Sequence, residues 1–338
     1  MAVSAAGGLT NRALIARLAD GRLHSGVQLA AELGISRAAV WKGVERLRAG
    51  GIEIQALARR GYRLPAAVEL LDATRIAAEL GAPRRQELRT LEVLFAADST
   101  NTHLISREPP PYGRADVCLC ELQRAGRGRR GRHWIAPFGA GLAISVGWTF
   151  RDAIRGLPAL SLAVGVAVSR ALLGIGARGI GLKWPNDICF DDRKIGGVLI
   201  DLRAEADGPA FVVIGIGINM SLSAEQRAAL AAAGAQAAAL DEACAAAPSR
   251  NRAAGAILDE LLRMLTEFGR DGFAPFRGSW TALDVLRGRR AEVVVGSRRI
   301  VGTAQGIDRD GALQLDVGGS MQRFVSADVS LRAAGGAV

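Results

Sequence analysis

Lysine is almost missing from this chain. Of its 43 Lys and Arg residues only three are Lys: Lys42, Lys183 and Lys194. Where arginine supplies nearly every cation, a retained Lys points to a need for a compact ammonium on a flexible stem. Histidine is as scarce. The three (His24, His103, His133) have no metal-ligand spacing, so no histidine-based metal centre is expected. Cysteine numbers four. Cys118 and Cys120 stand two apart in a strand-like run, point the same way, and read with Cys189 and Cys244 as small buried hydrophobes of a reducing compartment. There is no run of 18 apolar residues, and no helical membrane span is expected. Met1–Gly8 lacks a basic region followed by an apolar one, so no signal peptide is expected and the cytoplasm is the expected location.

What is present is an ordinary globular composition, 49% apolar and 22% charged over 338 residues, enough for two or three domains. The formal net charge is +10, and it is uneven: residues 1–65 hold ten Lys/Arg against four Asp/Glu. An anionic partner is implied for that segment, nucleic acid before others.

The same segment carries helix punctuation. Residues 9–21 read as an amphipathic helix with Leu14, Ile15 and Leu18 on one face. Ser25 is an N-cap, Val27–Leu33 a second helix ended by Gly34, and Ser36 opens a third from Arg37 to Arg48. Two short helices joined through a glycine turn, followed by a strand-like hairpin over 52–64 with a basic end, make a winged helix-turn-helix. On the third helix Ala39, Val40, Val44 and Leu47 face the core, while Ser36, Arg37, Lys42 and Arg46 face outward. Arg59 and Arg60 sit at the wing. These six are the candidate DNA contacts.

Downstream, Asp72–Leu80 reads as a helix closed by Gly81-Ala82-Pro83. Strands are expected at 91–97, 115–122, 141–149, 180–184, 195–204 and 210–218, with helices at Pro158–Leu173 and 250–269. Mixed order implies an α+β class with a central mixed α/β domain. The Ala-rich stretch 224–247 predicts two short helices and shows no chemistry. Short strands at 290–295, 299–307, 312–317 and 322–325, separated by glycine turns, predict a small SH3-like β-barrel. The domain boundaries follow as 1–65, 66–284 and 285–338.

Five segments of the central region carry chemistry. Asp98-Ser99-Thr100-Asn101 ends a strand with small donors and acceptors suited to a neutral polar ligand, or to capping a helix. Gly126-Arg127-Gly128-Arg129-Arg130-Gly131-Arg132 lies between a strand and Trp134. Its glycines allow backbone close to an anion, and its guanidinium forks bind phosphate or carboxylate. Lys183-Trp184-Pro185-Asn186-Asp187 puts a Lys at a strand end before a turn. Arg193-Lys194-Ile195-Gly196-Gly197 opens the next strand with room for a ligand. Val213-Ile214-Gly215-Ile216-Gly217-Ile218-Asn219 is an apolar strand with two glycines, and no helix follows it directly as a dinucleotide fingerprint would require.

In this order and spacing the five segments resemble the bacterial biotin protein ligases. With the winged helix, the resemblance is to the bifunctional type that is also a biotin operon repressor. It spans residue 9 to about 333. It implies an ATP-dependent reaction in which biotin's carboxylate attacks the α-phosphate of Mg2+-ATP. The biotinyl-5′-AMP formed then gives its acyl group to one lysine of a biotin carboxyl carrier domain, as in acetyl-CoA carboxylase or a related carboxylase. By resemblance, Ser99, Thr100, Asn101, Gln123 and Gly196 contact biotin, and Arg127, Gly128 and Arg129 close on biotin and phosphate. Lys183 and Lys194 stabilise charge as catalytic cations with Arg129. Arg130, Trp134, Asn186 and Asp187 sit near the nucleotide, with Asn219 at the edge. Operator DNA, a ligand-promoted homodimer and biotinyl-5′-AMP as corepressor belong to the same expectation; no membrane partner does. A monofunctional ligase with a vestigial winged helix, a lipoate-type ligase and a biotin-sensing transcription factor without catalysis are the alternatives.

Overall fold

The computed structural model describes residues 5–151, 157–204, 209–232, 236–325 and 327–331. Residues 1–4, 332–338 and 233–235 of the Ala-rich stretch lie outside the described part.

The N-terminal unit contains α1 (Ala5–Leu18), α2 (Gly26–Leu33) and α3 (Arg37–Ala49), then a hairpin of β1 (Gln55–Leu57) and β2 (Gly61–Arg63). The caps are those the sequence shows. Ser25 accepts from Gln28 N–H, Gly34 closes α2 in the left-handed region, and Ser36 accepts from Ala39 N–H. Leu14, Ile15, Leu18, Val40 and Val44 are fully buried. Gly43 sits where α3 crosses α1: a Cβ there would come within 3.0 Å of Leu14 Cδ2. That close approach explains a glycine in mid-helix despite its cost in helix propensity.

The linker leads through α4 (Ala73–Ala78) into α5 (Ala82–Glu87). Pro83, expected to end a helix, instead lies at the start of α5, where no N–H is needed. The central domain continues with β3 (Leu88–Ala97), α6 (Thr100–Ile105), β4 (Ala115–Gln123), β5 (Gly141–Phe150) and α7 (Leu157–Gly174). It goes on with β6 (Ile180–Lys183), β7 (Asp187–Phe190), β8 (Arg193–Ala204) and β9 (Ala210–Asn219). Helices α8 (Ala224–Ala232), α9 (Leu240–Ala243), α10 (Arg250–Asp271) and α11 (Ala274–Leu283) complete it. The seven strands form one sheet in the order β3-β4-β5-β9-β8-β7-β6, parallel only at β3–β4.

The central strands are two-faced. Leu142, Ile144, Val146 and Trp148 of β5, with Val212, Ile214, Ile216 and Ile218 of β9, join α7 and α10 in the main core. The opposite face carries Ala143, Ser145 and Gly147, Gly215 and Gly217, and Gly197 on β8. Helix α6 and a small apolar cluster, Leu104, Cys118, Phe211 and Val213, cover part of that side.

The C-terminal unit is one strand richer than the sequence shows. Strands β10 (Arg290–Val295), β11 (Arg298–Ile307), β12 (Leu313–Val317), β13 (Ser320–Phe324) and β14 (Asp328–Leu331) form an antiparallel sheet in the order β13-β12-β11-β10-β14. It joins the main core and is tied to the seven-stranded sheet by Trp184 Nε1–H, which donates to Gly311 O at 3.0 Å.

A buried ion pair pins the linker to the central domain. Arg250 Nη1 donates to Glu121 Oε2 at 2.8 Å and to Glu69 O at 2.7 Å, and Nη2 donates to Gly141 O at 2.9 Å. Glu121 Oε1 accepts from Leu71 N–H. Removing one partner of such a pair leaves a buried charge uncompensated, so Arg250→Ala should lower stability by about 3–5 kcal/mol in urea unfolding. The double replacement Arg250→Met/Glu121→Leu should not recover it, because the backbone groups of Glu69, Leu71 and Gly141 still lose partners. Full recovery would mean the charges alone matter.

Asp284 marks the joint with the C-terminal unit. Its neighbour Val285 donates N–H to Leu182 O, and Leu286 N–H donates to Asp284 Oδ1 at 2.9 Å. Burial pushes its carboxyl up to about 6 from 3.8. The folded state therefore holds a proton that the unfolded chain releases, and stability should fall as pH rises from about 4 to 6, by on the order of 2 kcal/mol. Asp284→Asn should flatten that stretch of the stability–pH curve; an unchanged slope would remove Asp284 as its source.

Candidate active site

Strand alternation builds the floor. A Cβ at Gly215 would lie 2.3 Å from Asn101 Oδ1, and one at Gly217 would lie 2.4 Å from Trp134 Cε2. Both side chains thus rest directly on the backbone of β9. Ser99, Thr100 and Asn101 are all buried at the start of α6. Ser99 caps that helix, accepting from Thr102 N–H. Gln123 Oε1 at the end of β4 accepts from Thr100 N–H at 2.9 Å and from its hydroxyl at 3.2 Å. Ser145 O–H reaches Thr100 Oγ1 at 2.7 Å and Asn101 Oδ1 at 2.6 Å. Three of the four residues expected at the polar end of the ligand, Thr100, Asn101 and Gln123, therefore form one hydrogen-bonded corner with Ser145, and Ser99 caps the helix beside it. Ser145 belongs to it and was not anticipated; its signal is a lone hydroxyl in the apolar run Leu142–Trp148.

The Gly-Arg loop closes one side. Its base is pinned where Trp134 N–H donates to Gly126 O at 2.9 Å, and a Cβ at Gly126 would strike Trp134 O. Gly128 N–H donates to Arg132 O at 2.7 Å, and Arg130 stands exposed at the apex with φ 55°. Arg127 forms a forked pair with Asp201 at 3.0 and 3.1 Å, and Arg129 donates to Asn186 Oδ1 at 3.2 Å. The loop, Asp98, Ser99, Thr102 and Leu199 line a half-open cavity of about 370 Å³, a size suited to a small ligand.

The lysines stand on the other side. Lys183 ends β6, opposite Asp187 in register across β6–β7. Lys194 Nζ lies 2.6 Å from Asp187 Oδ1 and 5.8 Å from the centroid of the Trp134 ring. Burial, helped by the Asp187 carboxylate, pushes the Cys189 thiol up to about 12 against the pull of both ammonium groups. Burial likewise raises Cys118 and Cys120, so these cysteines are packing residues, free and unreactive.

Two expected residues have structural neighbours that spacing alone did not show. Gly196 faces the core, where a Cβ would lie 2.5 Å from Ile218 Cδ1; its neighbour Gly197 is the glycine beneath Lys194 Nζ, at 3.1 Å. The period of two along a strand decides which of two adjacent glycines meets the site. Asn219 is buried, and its amide donates to Ala238 O at 3.0 Å. It thereby anchors a segment of the Ala-rich stretch that pairs with the Lys194 backbone: Lys194 N–H donates to Gln236 O and Ala238 N–H to Lys194 O. Glu242 from the same stretch holds Arg193 at 2.8 Å. The region without visible chemistry supports the backbone of Lys194.

A grouping not evident from spacing brings Glu92, His103 and Cys118 together. His103 already bonds Glu92 at 2.9 Å, and Arg107 engages both carboxylate oxygens. A cation would have to displace that guanidinium, so the cluster is an ion-pair network.

At the N-terminal unit Arg37, Lys42, Arg46, Arg59 and Arg60 are exposed. The Ser36 hydroxyl oxygen is taken up by capping α3. Trp41, 54% exposed, shares the outward face and was not anticipated.

Comparison with known proteins agrees with this layout. Residues 95–219 match the biotin/lipoate A/B protein ligase family, residues 11–63 an HTH domain, and residues 288–332 the biotin protein ligase C-terminal domain. The chain is 36% identical over 328 residues to the bifunctional ligase/repressor BirA of Escherichia coli, covering 95% of this chain and 97% of that one. It is 31% identical over 320 residues to BirA of Bacillus subtilis, covering 91% and 93%. Among solved structures, a biotin protein ligase from Aquifex aeolicus in complex with biotin and ATP aligns with a TM-score of 0.59 at 26% identity, covering 74% of this chain and 100% of that one. With a polar corner, a Gly-Arg loop and two lysines around one glycine floor, and a winged helix ahead of them, the chain belongs to the family of bifunctional biotin ligase/repressors.

Proposed function

We propose that this protein is an ATP-dependent biotin protein ligase and a biotin-responsive repressor, acting in the cytoplasm. The observation that carries the ligase reading is the convergence of Lys194, Trp134, Arg129 and Asn186 beside the Ser99–Asn101 corner, over a floor that Gly215 and Gly217 leave open. A neutral ureido ring fits the corner, whose groups both donate and accept. The carboxylate end of biotin then points towards the lysines. Two anions, a carboxylate and a triphosphate, repel one another unless fixed cations sit between them, and Lys183, Lys194 and Arg129 are those cations.

In the first step a biotin carboxylate oxygen attacks the α-phosphorus, and the Pα–O bond to pyrophosphate breaks. In the second the neutral ε-amine of a lysine on a biotin carboxyl carrier domain attacks the acyl carbon, and AMP leaves as the amide forms. Trp134 gives the adenine-side wall and the Gly-Arg loop keeps water from the mixed anhydride. Asp187 and Asn186 carry the oxygens that would hold Mg2+, which would supply charge neutralisation at the triphosphate; Lys194 and Arg129, which now occupy those oxygens, would have to release them.

The boundaries proposed are 1–65 for DNA reading, 66–284 for catalysis and 285–338 for the C-terminal unit. The first two meet directly. Phe95, Leu122 and Phe138, which end β3, end β4 and follow the loop, pack against the core of the winged helix. Biotinyl-5′-AMP is the proposed corepressor and a ligand-promoted homodimer the operator-binding form.

Lys183→Ala should slow pyrophosphate release from ATP and biotin by at least about two orders of magnitude, the scale of losing one preorganised electrostatic donor. Lys183→Arg should recover only part, the fork being bulkier. A rate within a few-fold of wild type in Lys183→Ala would take that residue out of the chemistry.

For the DNA side, Arg37→Ala/Arg46→Ala should weaken operator binding and flatten the dependence of log K on log salt by about two, since each phosphate contact contributes a slope of about −0.9. Equal affinity and slope in wild type and variant would leave the ligase without a reader. Deleting residues 1–64 should abolish DNA binding, keep adenylate formation, and weaken biotin retention through the lost packing on Phe95, Leu122 and Phe138.

A further inference from the structure

One carboxylate on the site face stands out. Asp201 lies on β8 opposite Val213, and the residues around it on that face are Leu199, Gly215 and Arg203. An acid at a position that alternation assigns to a small or apolar side chain is costly unless fully engaged. Asp201 is so engaged, with its side chain only 19% exposed. Both its oxygens take the Arg127 fork, at 3.0 and 3.1 Å, and Oδ2 also accepts from Asn101 Nδ2 at 3.0 Å. The other Asn101 amide hydrogen goes to Leu199 O at 3.3 Å, and its Oδ1 accepts from Ser145. The carboxamide is therefore held in one orientation, and the same carboxylate holds one arm of the loop.

We propose that Asp201 is a positioning residue that couples the two halves of the small-ligand pocket: it latches the Gly-Arg loop through Arg127 and sets the orientation in which Asn101 meets a neutral cyclic urea. This rests on the biotin-site reading above. A forked, charge-assisted pair is geometrically specific. Its removal frees the loop and lets the carboxamide turn, without touching the lysines that act on the carboxylate and phosphate.

Asp201→Asn keeps the shape and removes the charge. The KM for biotin should rise about tenfold or more, the loss expected for a hydrogen bond to a charged group, while kcat for pyrophosphate release at saturating biotin falls less than about threefold. Dissociation of preformed biotinyl-adenylate should quicken by a similar factor. Asp201→Glu should restore part of the loss. Arg127→Ala, on the exposed side of the same contact, should give the same KM rise, and the double variant should be no worse than either single one. Unchanged KM and dissociation, or additive losses, would overturn the latch. A ligand-free measurement separates this from failure of the ligase reading: trypsin should cut between Arg127 and Arg132 at least about fivefold faster in Asp201→Asn than in wild type, because local opening governs cleavage. If the wild type formed no adenylate, the ligase reading would fall and cleavage would still judge the latch; equal cleavage would refute it.

Discussion

No side chain can stand at Gly215 or Gly217, and the rest of the site follows from that constraint. Beneath the site, strands β5 and β9 put their bulk on one face, where Leu142, Ile144, Val146, Ile214, Ile216 and Ile218 lock onto α7 and α10. The other face is thin: Ser145, Gly215, Gly217 and Gly197 leave the backbone bare. Burial on the first face fixes the strands that must be accurate on the second. Asn101 settles into the space at Gly215 and Trp134 into that at Gly217. Once Trp134 is placed, the loop before it is placed, and the Lys194 ammonium lies over its ring. An alanine at either glycine would displace Asn101 or Trp134.

The supports are polar and lie outside the pocket. Arg250 joins β4, β5 and the linker through Glu121, Gly141 and Glu69, so the start of α10 holds both the sheet and the segment leading from the winged helix. On the other side, the backbone of Gln236–Ala238 continues the sheet pattern onto Lys194, with Asn219 tying that segment to β9. The winged helix, meanwhile, packs on the ends of the strands that bear the polar corner. Reader and site therefore share structural elements, which is the physical precondition for each to bias the other by the same coupling free energy.

Much of this was legible in the sequence because local rules acted alone. Ser25, Gly34 and Ser36 punctuate helices by hydrogen bonds within their own turn, and the large residues of β5 and β9 alternate with small ones in plain view. What escaped depended on distant partners or on proline. The four-residue strand β7 is too short to show a period. Pro83 and Pro275 look like breakers, yet each sits in the first turn of a helix, where its missing N–H costs nothing. The fifth C-terminal strand, β14, follows Val325 closely and pairs with β10, not with its sequence neighbour. Gly196 and Gly197 could not be told apart without the register. Ser145 and Asp201 were each a lone polar residue in an apolar run, a signal that was present and not used.

The surroundings of Lys194 favour lysine over arginine on geometric grounds. Lys194 Nζ sits 2.6 Å from Asp187 Oδ1 and would be 3.1 Å from any Cβ at Gly197, with Trp134 on its far side. A guanidinium is wider than an ammonium and planar, so in that slot it would strike the sheet or the indole. Elsewhere the fork is an advantage: Arg127 on Asp201, Arg89 on Asp116 and Arg289 on Asp192 all grip carboxylates with two nitrogens. Arginine thus gains bidentate contacts where space allows, and Lys194 stands where one compact charge must fit between an acid, an aromatic ring and a strand. Lys42 is outside this rule. It is exposed on the outward face of α3 with Arg37 and Arg46, where phosphate would accept either cation, so its identity is not dictated by space.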